Sequence, residues 1–235
     1  MRALLLAAGF GTRLRPITNS IPKCMVPILG RPLLEYWLEA LELAGVNEII
    51  VNTHYLPEVV NDFVAHSRWN GRITLVYEEE LLGTGGTILN NAHLLAEGPF
   101  LVAHADNLTR FSVLDFYRTH ITRPSKTDVT MMLFRTDKPT ESGIVELDGL
   151  GIVTKFYEKV ANPPSNLANG AVYIFEPSVL EQLRAFNKPN IDLSTEVIPL
   201  YLNRINTYIN FGYHRDIGDL ASLEKARRDF IGSSV

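Results

Sequence analysis

A single cysteine, Cys24, stands among 235 residues. No intrachain disulfide can form, and a reducing compartment is the simplest expectation. Basic residues are not in excess: 22 Lys and Arg against 26 Asp and Glu leave a net charge of −4. That argues against nonspecific nucleic-acid binding, which shows a basic excess, yet leaves room for a local cluster of cations around a small anion. No run of 18 apolar residues occurs, and Gly9 to Pro16 breaks the apolar N-terminus. Neither a membrane span nor a signal peptide is expected, so the expected location is cytoplasmic. Internal repeats, low-complexity tracts and linkers are also missing. One domain over residues 1–235 is the expectation, with a first half, 1–110, and a second, 111–235, of different character.

What is present is an alternation of strand and helix signals. RALLLA (2–7) is a short apolar run, as a strand buried on both faces requires, and EIIVNT (48–53), ITLVYE (73–78) and the apolar FLVAHAD (100–106) read as further strands. Between them, Leu33, Leu34, Trp37, Leu38, Leu41 and Ala44 follow helical spacing after Pro32 and before Gly45. Pro57 opens a second helix (57–67), and residues 83–95 read as a third. Such alternation implies a parallel sheet with helices on both faces. The second half is β-rich: VTMMLF (129–134), GIVEL (143–147), GIVTKFYE (151–158) and LANGAVYIF (167–175). These strands are expected to extend the same sheet, partly antiparallel. Helices are expected at 177–186, 194–203 and 219–231.

The first strand opens into GFGTRLRPI, with Arg13, Arg15 and then Lys23 close behind. A buried strand has no need of fixed positive charge at its end; a phosphate does. The dinucleotide pattern G-x-G-x-x-G fails, because Leu14 stands where the third glycine should pack a helix and Pro16 follows. No G-x-x-x-x-G-K-[ST] occurs either. What remains is a longer wrapping loop. Gly9 and Gly11 let backbone N–H groups approach an anion, Arg13 adds a planar fork and Lys23 a point charge. A triphosphate has about the size for such a wrap. The bland alternative is a glycine turn with surface arginines.

LAAGFGTRLRPIT followed by IPKCMVPILGRPLLEY resembles the signature of the sugar-1-phosphate nucleotidylyltransferases, and the similarity runs to the end of the chain. It is most like the D-glycero-D-manno-heptose 1-phosphate and mannose 1-phosphate guanylyltransferases. The resemblance implies an α/β, GT-A-like and Rossmann-like fold, a mixed, mostly parallel central sheet flanked by helices. It implies the reaction of an NTP with a sugar 1-phosphate to give an NDP-sugar and pyrophosphate. It also implies site residues. Leu6, Ala7, Ala8, Gly9, Gly11, Thr12, Arg13, Lys23, Glu80, Gly83, Thr84 and Gly85 would bind the nucleotide. Asn107, Gly143, Glu158, Lys159 and Asn169 would bind the sugar phosphate. Asp106 and Asp216 would hold Mg²⁺, and Arg13, Lys23 and Asp106 would carry catalysis. The chain departs from the pattern in places: Ala105 stands for a glycine, Val160 and Leu81 for prolines.

Residue chemistry supports these assignments to different degrees. Asp106 ends an apolar strand, where α/β folds bind ligands. Two aspartates suit Mg²⁺, which takes few protein carboxylates. Asp219 reads as the cap of the last helix and His214 as a structural residue. Glu80 tips base choice towards GTP, since a carboxylate accepts both N1–H and the N2 amine of guanine. The run Glu78–Glu80 also suits a solvated loop, and a related stretch occurs in a uridylyltransferase acting on N-acetylmuramic acid 1-phosphate, so UTP with that sugar or glucose 1-phosphate is the alternative. A glycosyltransferase would show Asp-x-Asp, and Leu108 stands there instead. A non-catalytic sensor has no need of every charged residue kept here. The chain holds no hexapeptide repeat, so no acyltransferase domain is expected. The expected partners are the two substrates, with no nucleic acid or membrane, and the protein is expected to be a monomer or homodimer.

Overall fold

The computed structural model describes residues 1–230. In chain order the strands are β1 (Arg2–Leu6), β2 (Pro27–Ile28), β3 (Arg31–Pro32), β4 (Ile49–Thr53), β5 (Ile73–Tyr77), β6 (Phe100–His104), β7 (Asn107–Thr109), β8 (Val129–Arg135), β9 (Gly143–Leu147), β10 (Val153–Glu158), β11 (Leu167–Phe175), β12 (Ile205–Ile209) and β13 (His214–Asp216). The α-helices are α1 (Leu33–Leu43), α2 (Pro57–His66), α3 (Gly83–Asn90), α4 (Ala92–Leu95), α5 (Val113–Ile121), α6 (Ser178–Ala185) and α7 (Leu220–Asp229). The mixed central sheet with flanking helices read from the sequence is present.

The differences have local causes. The helix expected over 83–95 breaks at Asn91, whose side-chain amide donates to Thr87 O at 2.9 Å and so competes with the backbone ladder. Residues 194–203 form a π-turn over Leu193–Val197 and a 3₁₀ turn over Ile198–Tyr201, because Pro199 has no N–H to extend an α-helix. The sequence reading passed over α5, although Val113, Phe116 and His120 recur at helical spacing and are buried. It also passed over β7, β12 and β13. Strand β11 carries a bulge after Asn169: Asn169 pairs with Leu133 and Tyr173 with Met131, leaving residues between them unmatched. The last helix begins after Asp219, whose carboxylate accepts from Ser222 N at 2.7 Å, and residue 231 of the expected helix lies outside the described residues.

The chain forms two compact units. The first comprises Met1–Leu81, Ala103–Val113 and the described residues from Phe211 onward; the second comprises Leu82–Val102 and Leu114–Asn210. They are not the contiguous halves divided at residue 110. Strand β6 begins in the second unit and ends in the first.

In the first unit, β1 and β4 run parallel with Leu4 opposite Ile50, and β4 and β5 run parallel with Val51 opposite Leu75. Leu4 and Leu5 are fully buried, which is why β1 carries an unbroken apolar run. A further buried cluster includes Leu14, Val26, Leu33, Leu108, Ile217 and Phe230. It ties the loop after β1 to α7. In the second unit, β11 pairs antiparallel with β8 and, at Ala168 opposite Ile144, with β9. Strand β10 continues from β9, and β12 runs parallel to β8.

Candidate active site

The loop after β1 is held open by packing at its two ends. Gly11 has φ +61°, and a Cβ there would lie 3.0 Å from Thr18 Cγ2 and 3.2 Å from Lys23 Cβ. Thr18 Oγ1 donates to Gly11 O at 2.7 Å. A short 3₁₀ turn over Thr12–Leu14 then drops Leu14 into the core. Leu14, the residue that ruled out a dinucleotide fold, is thus the anchor of the loop. Gly9 is exposed, with nothing within 4 Å of where a Cβ would be. Arg13 and Thr12 are exposed as well. Leu6 O accepts from Ala105 N at 3.0 Å, Ala7 N–H donates to Asn52 Oδ1 at 2.7 Å, and Ala8 is buried.

Asp106 and Asp216 come together through a small ribbon. Strand β7 pairs antiparallel with β13, Asn107 opposite Asp216 and Leu108 opposite Arg215. Ile217 N–H reaches Asp106 O at 3.3 Å, and Trp37 Nε1 donates to Asn107 O at 2.9 Å. These contacts fix the two carboxylates around one ammonium. Lys23 Nζ donates to Asp106 Oδ2 and, at 3.1 Å, to Asp216 Oδ1. Burial works to lower the pKa of Lys23; the two carboxylates outweigh it and hold the lysine above its ordinary value. Burial works to raise the pKa of Asp106; Lys23 and then His104 outweigh it and hold the carboxyl below its ordinary value. Both groups are charged at neutral pH.

Asp106 Oδ1 is buried and has no hydrogen-bond partner. A buried carboxylate oxygen with no donor is costly unless something else compensates its charge. No group of three or more His, Cys, Asp and Glu able to hold a metal occurs among the described residues. Zinc-like cages are therefore not built here. Mg²⁺ is a different case, because it takes one or two carboxylates and completes its shell with water and phosphate oxygens. The free Oδ1 of Asp106 and the largely exposed carboxylate of Asp216 fit that habit.

The structure also explains residues that do not act here. Burial pushes the Cys24 thiol up to about 12, so it is no nucleophile at neutral pH. Burial and the neighbouring Arg215 push His214 down to about 3. Gly218, which the sequence reading did not single out, is needed for room: a Cβ there would lie 3.0 Å from Asp216 Oδ2 and 3.2 Å from Arg13 Nη2. Its only signal in the sequence was its place after Asp216 and Ile217.

The second unit gathers most of the residues read as sugar-binding. Gly143 and Glu158 are opposite in the β9–β10 pair, and a Cβ on Gly143 would lie 2.8 Å from Glu158 Oε2 and 2.6 Å from Phe156 Cζ. Lys159 follows with φ +50°, and its ammonium lies 3.2 Å from Glu158 Oε1 while the side chain is 65% exposed. Asn169 Nδ2 donates to Tyr173 Oη at 2.6 Å, and Asn169 Oδ1 accepts from Ala171 N at 2.9 Å. The bulge in β11 makes both bonds possible. Burial raises the pKa of Tyr173, and Glu158 raises it further, so the hydroxyl stays protonated. Asn107, read with this group, is buried in the first unit beside Asp106.

Gly83, Thr84 and Gly85 have found partners within the second unit. Gly85 N–H and Gly86 N–H both donate to Ile191 O, at 2.8 and 3.2 Å, and Thr84 Oγ1 accepts from Leu193 N at 2.8 Å. Gly83 has φ +72°, and a Cβ on it would lie 2.6 Å from Ile191 O. Of the acidic run, Glu78 is buried and accepts from Asn52, whereas Glu79 and Glu80 are exposed.

The chain is 33% identical to the mannose-1-phosphate guanylyltransferase of Mycobacterium tuberculosis over 97% of its own length and 64% of that protein. It is 31% identical to the glucose-1-phosphate thymidylyltransferase of Streptomyces griseus over 97% of its length and 65% of that protein. The chain thus spans less than two thirds of these curated relatives. Among solved structures, HddC from Yersinia pseudotuberculosis complexed with GMP-PN superposes with a TM-score of 0.81 at 26% identity, covering 97% of this chain and 99% of that one. The profile described as Nucleotidyl transferase matches residues 2–232, a span that takes in every site residue named above, and the chain belongs to that family.

Proposed function

We propose that the protein transfers a nucleotidyl group from an NTP, GTP by preference, to a sugar 1-phosphate of mannose or manno-heptose type, giving an NDP-sugar and pyrophosphate. The observation that carries this reading is the ammonium of Lys23 between Asp106 and Asp216, with Asp106 Oδ1 left unpartnered. That arrangement presents two anionic oxygens and a permanent cation behind a glycine turn with an exposed arginine. It suits a polyphosphate and a divalent cation and has no use in binding a neutral ligand.

The chemistry asks for positioning and charge neutralisation. A phosphate oxygen of the sugar 1-phosphate attacks the α-phosphorus, and the bond to the β-phosphate oxygen breaks. The attacking oxygen is already anionic, so neither a strong base nor a nucleophilic side chain is required. Lys23 sits near the α-phosphate, and Arg13 with the N–H groups at Gly9–Gly11 holds the leaving pyrophosphate. Lys159 holds the sugar phosphate, and Glu158 accepts from sugar hydroxyls. Asp106 and Asp216 would hold Mg²⁺, which would supply positive charge to the phosphate oxygens.

Base preference rests on Glu80, which is exposed and carries acceptors only. The relative named as a guanylyltransferase, and the neighbour solved with GMP-PN, support GTP. The relative named as a glucose-1-phosphate thymidylyltransferase supports a second reading, a pyrimidine nucleotide with glucose 1-phosphate. The test is pyrophosphate release over a grid of four NTPs and dTTP against mannose, glucose, N-acetylglucosamine, N-acetylmuramic acid and heptose 1-phosphates, with Mg²⁺. GTP with a manno-configured sugar is expected to respond. A response with UTP or dTTP alone would keep the reaction and discard the role of Glu80.

A further inference from the structure

We propose that Asn52 and Glu78 are positioning residues for the nucleotide. Together they lock the main chain at Ala7, where the glycine turn begins, to the acidic segment that ends at Glu80. This rests on the nucleotide reading of that turn.

The geometry is a relay across three adjacent strands of the first unit. Asn52 lies in β4, opposite Leu6 of β1 and Val76 of β5. Its side chain serves both neighbours just beyond their ends. Ala7 N–H donates to Asn52 Oδ1 at 2.7 Å, and Asn52 Nδ2 donates to Glu78 Oε1 at 3.0 Å. Glu78 is held further by its main chain: its N–H donates to Thr53 O at 2.8 Å, and its carbonyl meets His54 Nδ1 at 2.8 Å. Asn52 is 2% exposed and Glu78 4%.

Burying an amide and a carboxyl is costly, and an apolar side chain would fill a core position without needing partners. The site is at the C-terminal edge of parallel strands, where α/β folds place ligands. What polar groups supply there is direction. A carboxamide has one acceptor end and one donor end. Ala7 N–H takes the first and Glu78 takes the second, so the relay has one sense only. The effect is to preset Ala7, Ala8 and Gly9 on one side, and Glu79 and Glu80 on the other, before any nucleotide arrives. Neither Asn52 nor Glu78 has to touch the ligand.

The one-way sense makes the inference testable by exchange. Asn52→Asp keeps the acceptor for Ala7 and sets a second carboxylate oxygen against Glu78. Adding Glu78→Gln restores a donor–acceptor pair with the sense reversed. The assay is steady-state pyrophosphate release with the NTP and sugar 1-phosphate that respond best in the grid, with circular dichroism and melting curves for every variant. Asn52→Asp is expected to raise KM for the NTP about tenfold, with KM for the sugar phosphate and kcat within about twofold of wild type. The double variant is expected to recover most of the loss. An equal rise in both KM values, or no recovery in a folded double variant, would overturn the proposal. If Asn52→Asp does not fold, Glu78→Met decides: a rise confined to the NTP supports the relay, and a shared rise or none defeats it. Silence of the wild-type protein with every NTP would remove the nucleotide reading, and this inference with it.

Discussion

Two glycine-rich stretches look alike in the sequence, and the structure uses them in opposite ways. In GFGTR, Gly9 faces open space and leaves a charged, exposed surface around Arg13. In GTGG, a Cβ on Gly86 would lie 2.1 Å from Pro189 O, and one on Gly85 would lie 2.8 Å from Ile191 Cγ2. The first stretch leaves open space beside its backbone at Gly9. The second keeps side chains away because the protein itself has already approached. A glycine therefore signals close approach of some kind, and only the tertiary contact says whether protein or ligand makes it.

The comparison can be sharpened by substitution, beginning with Asp106, the carboxylate that pairs with Lys23. Asp106→Ala is expected to lower kcat/KM by about 10³-fold while the protein stays folded; activity within tenfold of wild type would move the charge-handling site elsewhere. Gly86→Ala acts on the other region. Backbone at Pro189 cannot yield as a flexible side chain can, so the variant is expected to lose roughly 2–3 kcal/mol of stability in denaturant unfolding. An unchanged midpoint would mean that the packing against Pro189 is looser than described. Gly9→Ala is the counterpart. Its midpoint is expected to match wild type while KM for the NTP rises about tenfold, because a methyl group then occupies the approach path. Loss of stability without loss of affinity would make the two stretches alike after all.

Two smaller effects extend the contrast. Gly143→Ala pushes on the far ends of Phe156 and Glu158. It is expected to raise KM for the sugar phosphate several-fold and leave KM for the NTP unchanged, which separates the roles of the two units. Acid is expected to weaken both units. His214 in the first and His120 in the second are each pushed down to about 3, chiefly by burial. An unfolded histidine takes up its proton near about 6.5. Stability is therefore full above about pH 6.5 and falls as pH drops from there towards 3. Melting temperatures measured across that window should decline, and His120→Gln should decline less steeply. A flat profile in the wild type would contradict the burial of both rings.

Much of the fold was legible because its strands and helices carry local patterns. The β1 and β6 runs are apolar from Ala3 to Leu6 and from Phe100 to Ala103, and α1 shows its buried face at helical spacing from Leu33 to Leu41. Asp106 was legible as the carboxylate after β6 and Lys23 as a cation in the loop that follows β1, whereas Asp216 was legible only through resemblance. Gly143, Glu158 and Lys159 were legible as a group only through resemblance, since an exposed Glu-Lys pair has no distinctive chemistry of its own. The short ribbon of β7 and β13 left no mark, because three-residue strands are below the length at which periodicity can be seen. Asn52 and Glu78 were passed over because an asparagine in a strand and the first of three glutamates look ordinary until their side chains meet.

The sequence by itself determined the alternation of strands and helices in the first hundred residues, the glycine turn and the charged residues available to a phosphate ligand. Those depend on interactions among neighbours in the chain, which composition and spacing record. The tertiary structure alone decided that Asp106 and Asp216 flank one ammonium, that Asp106 keeps a free oxygen, and that Gly85 and Gly86 belong to packing. The contacts behind those outcomes join residues far apart in the chain, Lys23 lying 83 positions from Asp106 and 193 from Asp216, and the closing of such contacts is set by the whole fold rather than by any local preference.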